Sequence, residues 1–208
     1  MTSTAASPLT PTFPSKLPQV GTTIFSVMSA LAAEHDAVNL GQGFPDFECD
    51  PALVDAVTQA MKAGHNQYPP MPGIPALREA VASKIEATYG RKYCANAEIT
   101  ITAGATQAIL TAILAIVHAG DEVIVLDPCY DSYAPNIELA GGIVVRVPLI
   151  PGTFLPDFSL IGGAITPRTR ALIINSPHNP SATVWSAEDM LALQELLAPT
   201  NILLISDE

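Results

Sequence analysis

From residue 98 onward, short runs of Val, Ile and Leu alternate with segments that have helical character. The apolar runs read as strands over EITIT (98–102), EVIVLD (122–127), IVVRV (143–147), RALIIN (170–175) and ILLIS (202–206). The segments between them predict helices over 105–117, around 131–139 and after Ser186, where Asp189 completes a capping box; residues 148–169 are expected to be irregular. Continuous apolar strands separated by helices predict an α/β fold, with a mostly parallel sheet covered by helices on both faces.

The first hundred residues have a different character, with helices and proline-rich loops but few strand signals. Residues 1–18 are rich in Pro, Ser and Thr and predict an extended arm. Helices are expected over 22–34, from Asp50-Pro51 to about 63, and from Pro75 to a stop at Gly90. The segments NLGQGFPDFECD (39–50) and GHNQYPPMPG (64–73) are expected to be loops.

Composition favours a folded protein that binds small molecules. Of the 208 residues 49% are hydrophobic and only 14% charged, and 20 acidic against 9 basic residues give a net charge of −11. Such a charge repels nucleic acid and anionic lipid, so neither is expected as a partner. The apolar run 108–117 is too short to cross a bilayer, and no secretory signal is visible at the N-terminus.

The cysteines and histidines show no metal or redox pattern. Cysteines at 49, 94 and 129 form no CxxC motif and cannot all pair, which predicts reduced, buried thiols in a cytoplasmic protein. The four histidines, at 35, 65, 118 and 178, lack the spacing of metal ligands, so no metal site is expected.

Unusual loops follow several predicted strands, at the edge where open α/β sheets bind ligands. After Thr102, the small residues 103–105 and Thr106 lead into a helix, whose free N–H groups suit a phosphate. After Leu126, Tyr130 could stack on a flat ring. The alternative for both is structural: tight strand–helix turns often need small residues, and a Pro-initiated turn can hold a half-buried aromatic residue.

Two further loops carry polar side chains after apolar strands. In NSPHNPS (175–181) two prolines stiffen the loop around Asn179, which suggests a placed hydrogen-bond donor, while His178 is interpreted as structural. The last strand delivers Asp207, and a carboxylate at a buried strand end needs a cationic partner unless it caps the next helix.

Taken in order, these loops resemble a known family. The matching motifs are NLGQGFPD (39–46), NQY (66–68), Gly73, LRE (77–79), AGAT (103–106), GDEVIVLDPCYDSYAP (120–135), NSPHNPS (175–181) and SDE (206–208). They resemble those of class I pyridoxal-phosphate-dependent aminotransferases of the kynurenine/methionine aminotransferase group. The resemblance runs from about residue 20 to residue 208 and implies the fold of the family's large domain, with an arm and small-domain segment over 1–50 and the cofactor-binding domain over 51–208.

The resemblance also implies roles for individual residues. Gly104, Ala105 and Thr106 match the phosphate-binding turn, and Tyr130 matches the aromatic residue that stacks on the pyridine ring. Two more positions match groups that hold the ring, Asn179 at its 3-oxygen and Asp207 at its protonated nitrogen.

Three other positions match residues outside the ring site. Tyr68 is similar to the Tyr that reaches the phosphate of the neighbouring subunit, which implies a homodimer. Gly43 and Phe25 match substrate-pocket positions, and Asn179, already matched to the ring site, belongs to the substrate pocket as well. The implied activity is transfer of an amino group between an amino acid (methionine, kynurenine or glutamine-like) and a 2-oxo acid, within a cytoplasmic biosynthetic process.

Departures from the family pattern set further expectations. Ser181-Ala182 stands where the family usually has Thr-Gly, so the loop is expected to shift slightly and to leave Asn179 in place. The resemblance places the cofactor-holding lysine and the carboxylate-binding arginine after residue 208. Since Lys16, Lys62, Lys84 and Lys92 do not follow strand ends, the 208-residue chain is expected to be inactive alone.

Alternative functions remain open from the sequence. A cysteine-conjugate β-lyase would share these motifs, and an inactive fragment would carry them without catalysis. A non-catalytic nucleotide-binding module could also use a strand over 98–102, a small-residue turn, a helix and Asp127 at a strand end, although GxGxxG is missing.

Overall fold

The computed structural model describes residues 14–43, 45 and 47–208, and residues 1–13 of the predicted arm lie outside the described residues. The chain divides into two compact units. One comprises residues 24–108, and the other combines residues 109–208 with the N-terminal residues up to Thr23. The proposed domain boundary at residue 50 stays a prediction.

The unit of residues 24–108 is built from helices whose ends the sequence signals well. Its helices are α1 (Ile24–Glu34), α2 (Pro51–Lys62), α3 (Pro75–Tyr89) and the first turn of α4 (Gly104–Ile116). The Asp50 carboxylate accepts a hydrogen bond from the backbone N–H of Ala52 at 2.8 Å, and it thereby caps α2. Gly90 ends α3 in the left-handed conformation, with φ +68°, as a glycine allows without strain.

The predicted strand over 98–102 is wrong. These residues form no strand in the structure, and the backbone N–H of Ile101 donates to the carbonyl of Pro72, in a loop, at 3.0 Å. Alternating Ile and Thr give the segment strand-forming side chains, but a strand exists only where a neighbouring strand accepts its hydrogen bonds. The correction removes the first strand of the predicted alternation.

The other unit contains a parallel sheet, as predicted, with four strands instead of the five expected. They are β1 (Glu122–Asp127), β2 (Ile143–Pro148), β3 (Thr169–Asn175) and β4 (Leu203–Asp207), in the order β2-β1-β3-β4. The strands have the apolar composition expected of a sheet buried on both faces.

Helices cover both faces of this sheet, which confirms the predicted fold class. On one face α4 and α5 (Tyr133–Leu139) pack on the sheet, and the core there consists of Ile109, Ile113, Val117, Val123, Val125, Tyr133, Ile137, Ala171 and Ile173. On the other face α6 (Phe158–Ala164) and α7 (Ala187–Leu197) pack, around Ile124, Leu126, Val147, Leu149, Ile161, Leu172, Ile174, Trp185 and Leu193. Alternate strand residues therefore serve opposite faces.

Helix α6 lies within residues 148–169, which were predicted to be irregular. Its sequence, FSLIGGA, contains two glycines, which lower helix propensity. The Asp157 carboxylate compensates at the N-terminus, where it accepts hydrogen bonds from the backbone N–H groups of Ser159 and Leu160 at 2.9 and 3.1 Å. Burial of Ile161 against the sheet supplies the tertiary contact that a short helix needs. By contrast, the predicted capping box of Ser186 and Asp189 is confirmed at the start of α7.

The strand order places a topological switch point at the carboxyl edge of the sheet. After β1 the chain turns to α5 on one face, whereas after the neighbouring β3 it turns to α7 on the other face. Loops that leave adjacent strands in opposite directions open a gap beyond the carboxyl ends of those strands, where α/β proteins bind ligands. In this chain that rule points to the region beyond β1 and β3, next to the loops that begin at Pro128 and Ser176.

At the amino edge of the same sheet, an ion pair and a hydrogen bond join the start of β1 to the segment before β3. The Glu122 side chain, at the start of β1, pairs with the Arg168 guanidinium and accepts a hydrogen bond from Thr166 Oγ1 at 2.5 Å. The Thr166 hydroxyl and the Arg168 guanidinium lower the pKa of the Glu122 carboxyl from its ordinary value. These contacts stabilise the charged form of the Glu122 carboxyl.

Three negative observations concern the described residues. None of the helices in the described part of the chain is long and apolar enough to cross a membrane. Within the same residues, no cluster of His, Cys, Asp and Glu could hold a metal ion. All three cysteines are free, but Cys49 and Cys94 are exposed and Cys129 is half-buried, so the expectation of buried thiols is wrong for the first two.

Candidate cofactor site

Three of the predicted site residues lie together at the carboxyl edge of the sheet. Tyr130 is in the loop after β1, Asn179 is in the loop after β3, and Asp207 ends β4. The chain folds this way because β1, β3 and β4 are consecutive neighbours in the sheet, so their carboxyl ends lie side by side. The predicted juxtaposition of these residues therefore has a structural basis in the strand order.

Asp207 is held by a hydrogen bond that the sequence analysis did not anticipate. Tyr133 Oη donates to Asp207 Oδ2 at 2.5 Å, and the Tyr133 side chain is only 2% exposed. Burial, followed by the nearby Asp207 carboxylate, raises the pKa of the Tyr133 phenol well above its ordinary value. The phenol therefore keeps its proton and acts as a permanent donor to one carboxylate oxygen.

The Asp207 carboxylate has no cationic partner within the described part of the chain. It is partly buried, and no Lys, Arg or His there forms a salt bridge with it. A carboxylate withdrawn from water without a positive charge nearby is costly, and one neutral donor does not offset that cost. A cation bound next to the Asp207 carboxylate would offset this cost.

Asn175 connects the ends of β3 and β4 to the loop that carries Asn179. Its Nδ2 donates to the backbone carbonyl of Asp207 at 2.8 Å, and its Oδ1 accepts from the backbone N–H of Asn179 at 2.6 Å. The Asn179 side chain is exposed and, in the described structure, has no recorded hydrogen bond of its own. Its amide is thus positioned through the backbone and remains available to a ligand.

The aromatic ring of Tyr130 is half-buried at the same edge. It meets the ring of Tyr133 edge to face, with centroids 5.8 Å apart and planes at 75°. This geometry fixes one edge of Tyr130 against a buried neighbour, since aromatic pairs favour it. The spacing of Tyr130 and Tyr133, three residues apart at a helix start, is the sequence signal that could have identified Tyr133.

Ala182 stands where the family usually has Gly, and its backbone conformation is strained. Its φ is +61°, in the left-handed region where a Cβ clashes with the backbone. The loop keeps its shape through hydrogen bonds from Ala182 N to the His178 carbonyl at 2.7 Å and from His178 N to the Thr183 carbonyl at 2.8 Å.

We expect Ala182→Gly to raise the free energy of unfolding by roughly 0.5–1 kcal/mol. Relief of left-handed strain, about 1–2 kcal/mol, outweighs the added entropy of the unfolded chain, about 0.4–1 kcal/mol. Urea unfolding would measure the change. Ala198→Gly is the control, because Ala198 is exposed with φ −53° and should only lose stability. A loss of stability in both variants would contradict the strain at Ala182.

The predicted phosphate turn belongs to the unit of residues 24–108. Gly104 begins α4 with φ +83°, which a glycine adopts without strain. Thr102 Oγ1 donates to the Gly104 carbonyl at 3.0 Å, and Ala103 N donates to Gln107 Oε1 at 2.5 Å. Ala105 and Thr106 are exposed in the first turn of α4, where backbone N–H groups lack partners within the helix.

The remaining predicted residues lie in this same unit. Tyr68 is fully exposed, Gly43 is exposed with no atom near the position of a Cβ, and Phe25 is half-buried in α1. The loop before Gly43 is tied to α1, since Ser29 Oγ donates to Gln42 Oε1 at 2.8 Å and accepts from Asn39 Nδ2 at 3.1 Å. Their functional roles stay predictions.

Comparison with known proteins defines the class. The family model of class I and II aminotransferases matches residues 35–208, and the chain belongs to this family. The predicted resemblance is thereby confirmed.

Individual relatives refine this placement. The chain is 53% identical over 194 residues to the methionine aminotransferase of Escherichia coli, covering 93% of this chain and 50% of the relative. It is 36% identical over 191 residues to the human kynurenine–oxoglutarate transaminase 1, covering 86% and 45%. A crystal structure of an Escherichia coli methionine aminotransferase superposes with a TM-score of 0.91 at 53% identity, over 95% of this chain and 52% of that one. The chain spans about half the length of the relatives it matches.

Proposed function

We propose that the protein is a pyridoxal-phosphate-dependent transaminase that moves an amino group between an amino acid and a 2-oxo acid. The observation that carries the proposal is the partly buried Asp207 carboxylate, which has no cationic partner among the described residues and lies at the same edge of the sheet as the loops of Tyr130 and Asn179. Family membership supports the reaction class. The names of the relatives support methionine or kynurenine as the amino acid, and a glutamine-like amino acid stays a prediction from the motifs.

The residues present fit pyridoxal phosphate. In this proposal a protonated pyridine nitrogen would be the cationic partner of Asp207, and the backbone N–H groups of Ala105 and Thr106, in the first turn of α4, would suit the phosphate, whereas the Gly104 N–H donates to the Thr102 carbonyl at 2.9 Å. Tyr130 offers an aromatic face to the ring, and Asn179 Nδ2 can donate to the 3-oxygen. When bound, the cofactor supplies an electron sink that makes the α-proton of the amino acid removable.

The chain's own groups have distinct tasks in this proposal. Asp207 holds a proton at the ring nitrogen, and Tyr133 keeps the carboxylate in place through its buried hydroxyl. Asn175 fixes the loop of Asn179 to the end of β4. Gly43, Phe25 and the Asn179 amide would line the substrate pocket.

Two observations disfavour the nucleotide-binding alternative. That hypothesis needed a strand over 98–102, which the structure does not contain. It also needed the Asp127 carboxylate for a ribose, whereas Arg146 Nη1 already pairs with Asp127 Oδ1 at 2.8 Å. Titration of the full-length protein with pyridoxal phosphate and with NAD tests the choice. Binding of NAD alone would refute the transaminase proposal.

Dimer formation and location are also part of the proposal. Tyr68 is fully exposed, so its hydroxyl is available to a neighbouring subunit, and a homodimer would bring it to that subunit's phosphate. A cytoplasmic location suits an enzyme acting on small amino and oxo acids.

We expect Tyr68→Phe to weaken retention of pyridoxal phosphate by about 1.5–3 kcal/mol, the contribution of one hydrogen bond to a charged group. Equilibrium dialysis of the full-length protein would measure it. If Tyr68 acts across a dimer, mixed dimers with an inactive Asp207→Asn subunit should regain one intact site. Mixed dimers no better than Tyr68→Phe homodimers would mean that Tyr68 does not serve the neighbouring subunit.

Asn179→Ala should leave the cofactor bound but change how its absorbance depends on pH. Loss of the amide donor removes a contact that stabilises the ionised 3-oxygen, so the pKa of the bound chromophore should rise. A spectroscopic pH titration measures the midpoint. Ser181→Ala, in the same loop, is the control with the amide intact. An unchanged midpoint in Asn179→Ala would exclude this residue from the ring site.

A further inference from the structure

His178 is buried between the loop that begins at Pro128 and the loop that begins at Ser176. Its side chain is 5% exposed, although the sequence offered no reason for a histidine there beyond packing. Nε2 lies 2.9 Å from the carbonyl oxygen of Pro128, in the loop after β1. Nδ1 lies 2.6 Å from Ser181 Oγ, in its own loop after β3. One imidazole ring thus contacts both loops.

The chemistry of these partners fixes the tautomer. A carbonyl oxygen only accepts, so Nε2 carries a proton and donates to Pro128. In the neutral ring Nδ1 then accepts from the Ser181 hydroxyl, which itself lies 3.0 Å from Thr183 Oγ1. The contact from Nε2 joins two loops whose residues are 50 positions apart, whereas the contact from Nδ1 stays within one loop.

The two joined loops carry the predicted ligand groups. Tyr130 follows Pro128 by two residues, and Asn179 directly follows His178. Any change in the separation of the loops therefore changes the distance between the aromatic ring and the amide. Among the described residues, this is the hydrogen bond that joins Pro128 and Cys129 to the loop of residues 176–183.

We infer that His178 is a positioning residue: its Nε2–H bond to Pro128 sets the separation of the two loops and presents Tyr130 and Asn179 to the ligand together. The bridging role stands on the contacts themselves, and the identity of the ligand rests on the proposed function. Removal of the Nε2 donor should loosen both loops, including the one that does not contain His178.

Three substitutions separate the two contacts. In His178→Gln the side-chain amide can occupy the place of Nε2 and donate to Pro128. In His178→Asn the shorter amide reaches only the place of Nδ1. In His178→Leu both contacts are lost.

Two further variants are controls. Ser181→Ala removes the partner of Nδ1 and leaves the hydrogen bond from His178 Nε2 to Pro128 intact. Ile161→Val, in the core around α6, is the control for a general loss of stability.

Hydrogen–deuterium exchange of the full-length apoprotein tests the bridge without any cofactor. Peptides covering 128–133 and 176–183 should exchange faster in His178→Leu and His178→Asn. In His178→Gln, the 128–133 peptide should return to the wild-type rate, and in Ser181→Ala and Ile161→Val it should not change. Wild-type exchange over 128–133 in His178→Leu, or no rescue by Gln, would overturn the inference.

Binding then tests the consequence for the ligand. The dissociation constant for pyridoxal phosphate should rise about tenfold in His178→Leu, as expected for one lost buried hydrogen bond, and stay near wild type in His178→Gln. The absorbance midpoint should move in the direction expected for Asn179→Ala. Wild-type protein that binds no pyridoxal phosphate would refute the proposed function, while the exchange rates of the apoprotein would still decide the role of His178. Equal affinity of the wild-type and Leu proteins would overturn the positioning role.

Discussion

Asp207→Asn should lower the kcat of transamination by about 10²- to 10³-fold, the loss typical for removal of one preorganised charge at a reacting group. A neutral amide would not hold a proton at the ring nitrogen, so the bound cofactor would be a weaker acceptor for the electron pair that stays on the amino acid when its α-proton is removed. The fold should survive, because Asn Oδ1 can still accept the hydrogen bond that Tyr133 Oη donates to Asp207 at 2.5 Å.

The measurement is steady-state kinetics of the full-length protein with methionine and a 2-oxo acid, together with urea unfolding. Glu208→Gln is the matched control, since it removes a carboxylate one position further along while the side chain of Glu208 is exposed. Near-normal turnover in Asp207→Asn, or an equal loss in Glu208→Gln, would refute the role given to Asp207.

Gly73→Ala should cost about 2–4 kcal/mol of unfolding free energy, because the added methyl group combines backbone strain with a steric clash. Gly73 has φ +98°, and an added Cβ would lie 2.5 Å from Cγ1 and 2.8 Å from Cβ of Ile101. The surrounding loop cannot easily move, because the buried Arg78 donates through Nε to the Gly73 carbonyl at 3.2 Å and through Nη1 to the Ala95 carbonyl at 2.7 Å.

Gly64→Ala separates backbone strain from the steric clash. Gly64 has φ +88° and no atom within 4 Å of an added Cβ, so its substitution should cost only about 1–2 kcal/mol. Urea unfolding of both variants gives the difference, which measures the contact with Ile101. Equal losses in the two variants would show that Ile101 moves aside and that the close approach has no energetic weight.

Local sequence signals predicted most of the elements, because each signal acts over a few residues. Capping by Asp50 and by Ser186 with Asp189, and the left-handed stop at Gly90, lie where the sequence placed them. The failures have an equally definite cause. Residues 98–102 have strand-forming side chains without a strand to pair with, and α6 forms despite two glycines because the Asp157 cap and the burial of Ile161 support it.

In the candidate site, too, local motifs predicted some residues and missed the contacts between distant ones. Tyr130, Asn179 and Asp207 were identified from motifs at strand ends, and parallel strands bring such ends to one edge. The groups that hold them were not identified: the Tyr133–Asp207 hydrogen bond joins residues 74 positions apart, and the His178–Pro128 bond joins residues 50 apart. No local spacing specifies such pairs.

The sequence by itself therefore determined the class of fold, the loops that carry the candidate site and the family to which the chain belongs. Apolar periodicity, caps and motifs are properties of neighbouring residues, so they can be recognised before the chain is folded. Only the tertiary structure decided the strand order β2-β1-β3-β4, the contact between the loops after β1 and β3, the Tyr133 hydroxyl that donates to Asp207, and the Asn175 oxygen that accepts from the backbone of Asn179. These features depend on which distant segments pack together, since hydrogen bonds and burial are decided by proximity in space.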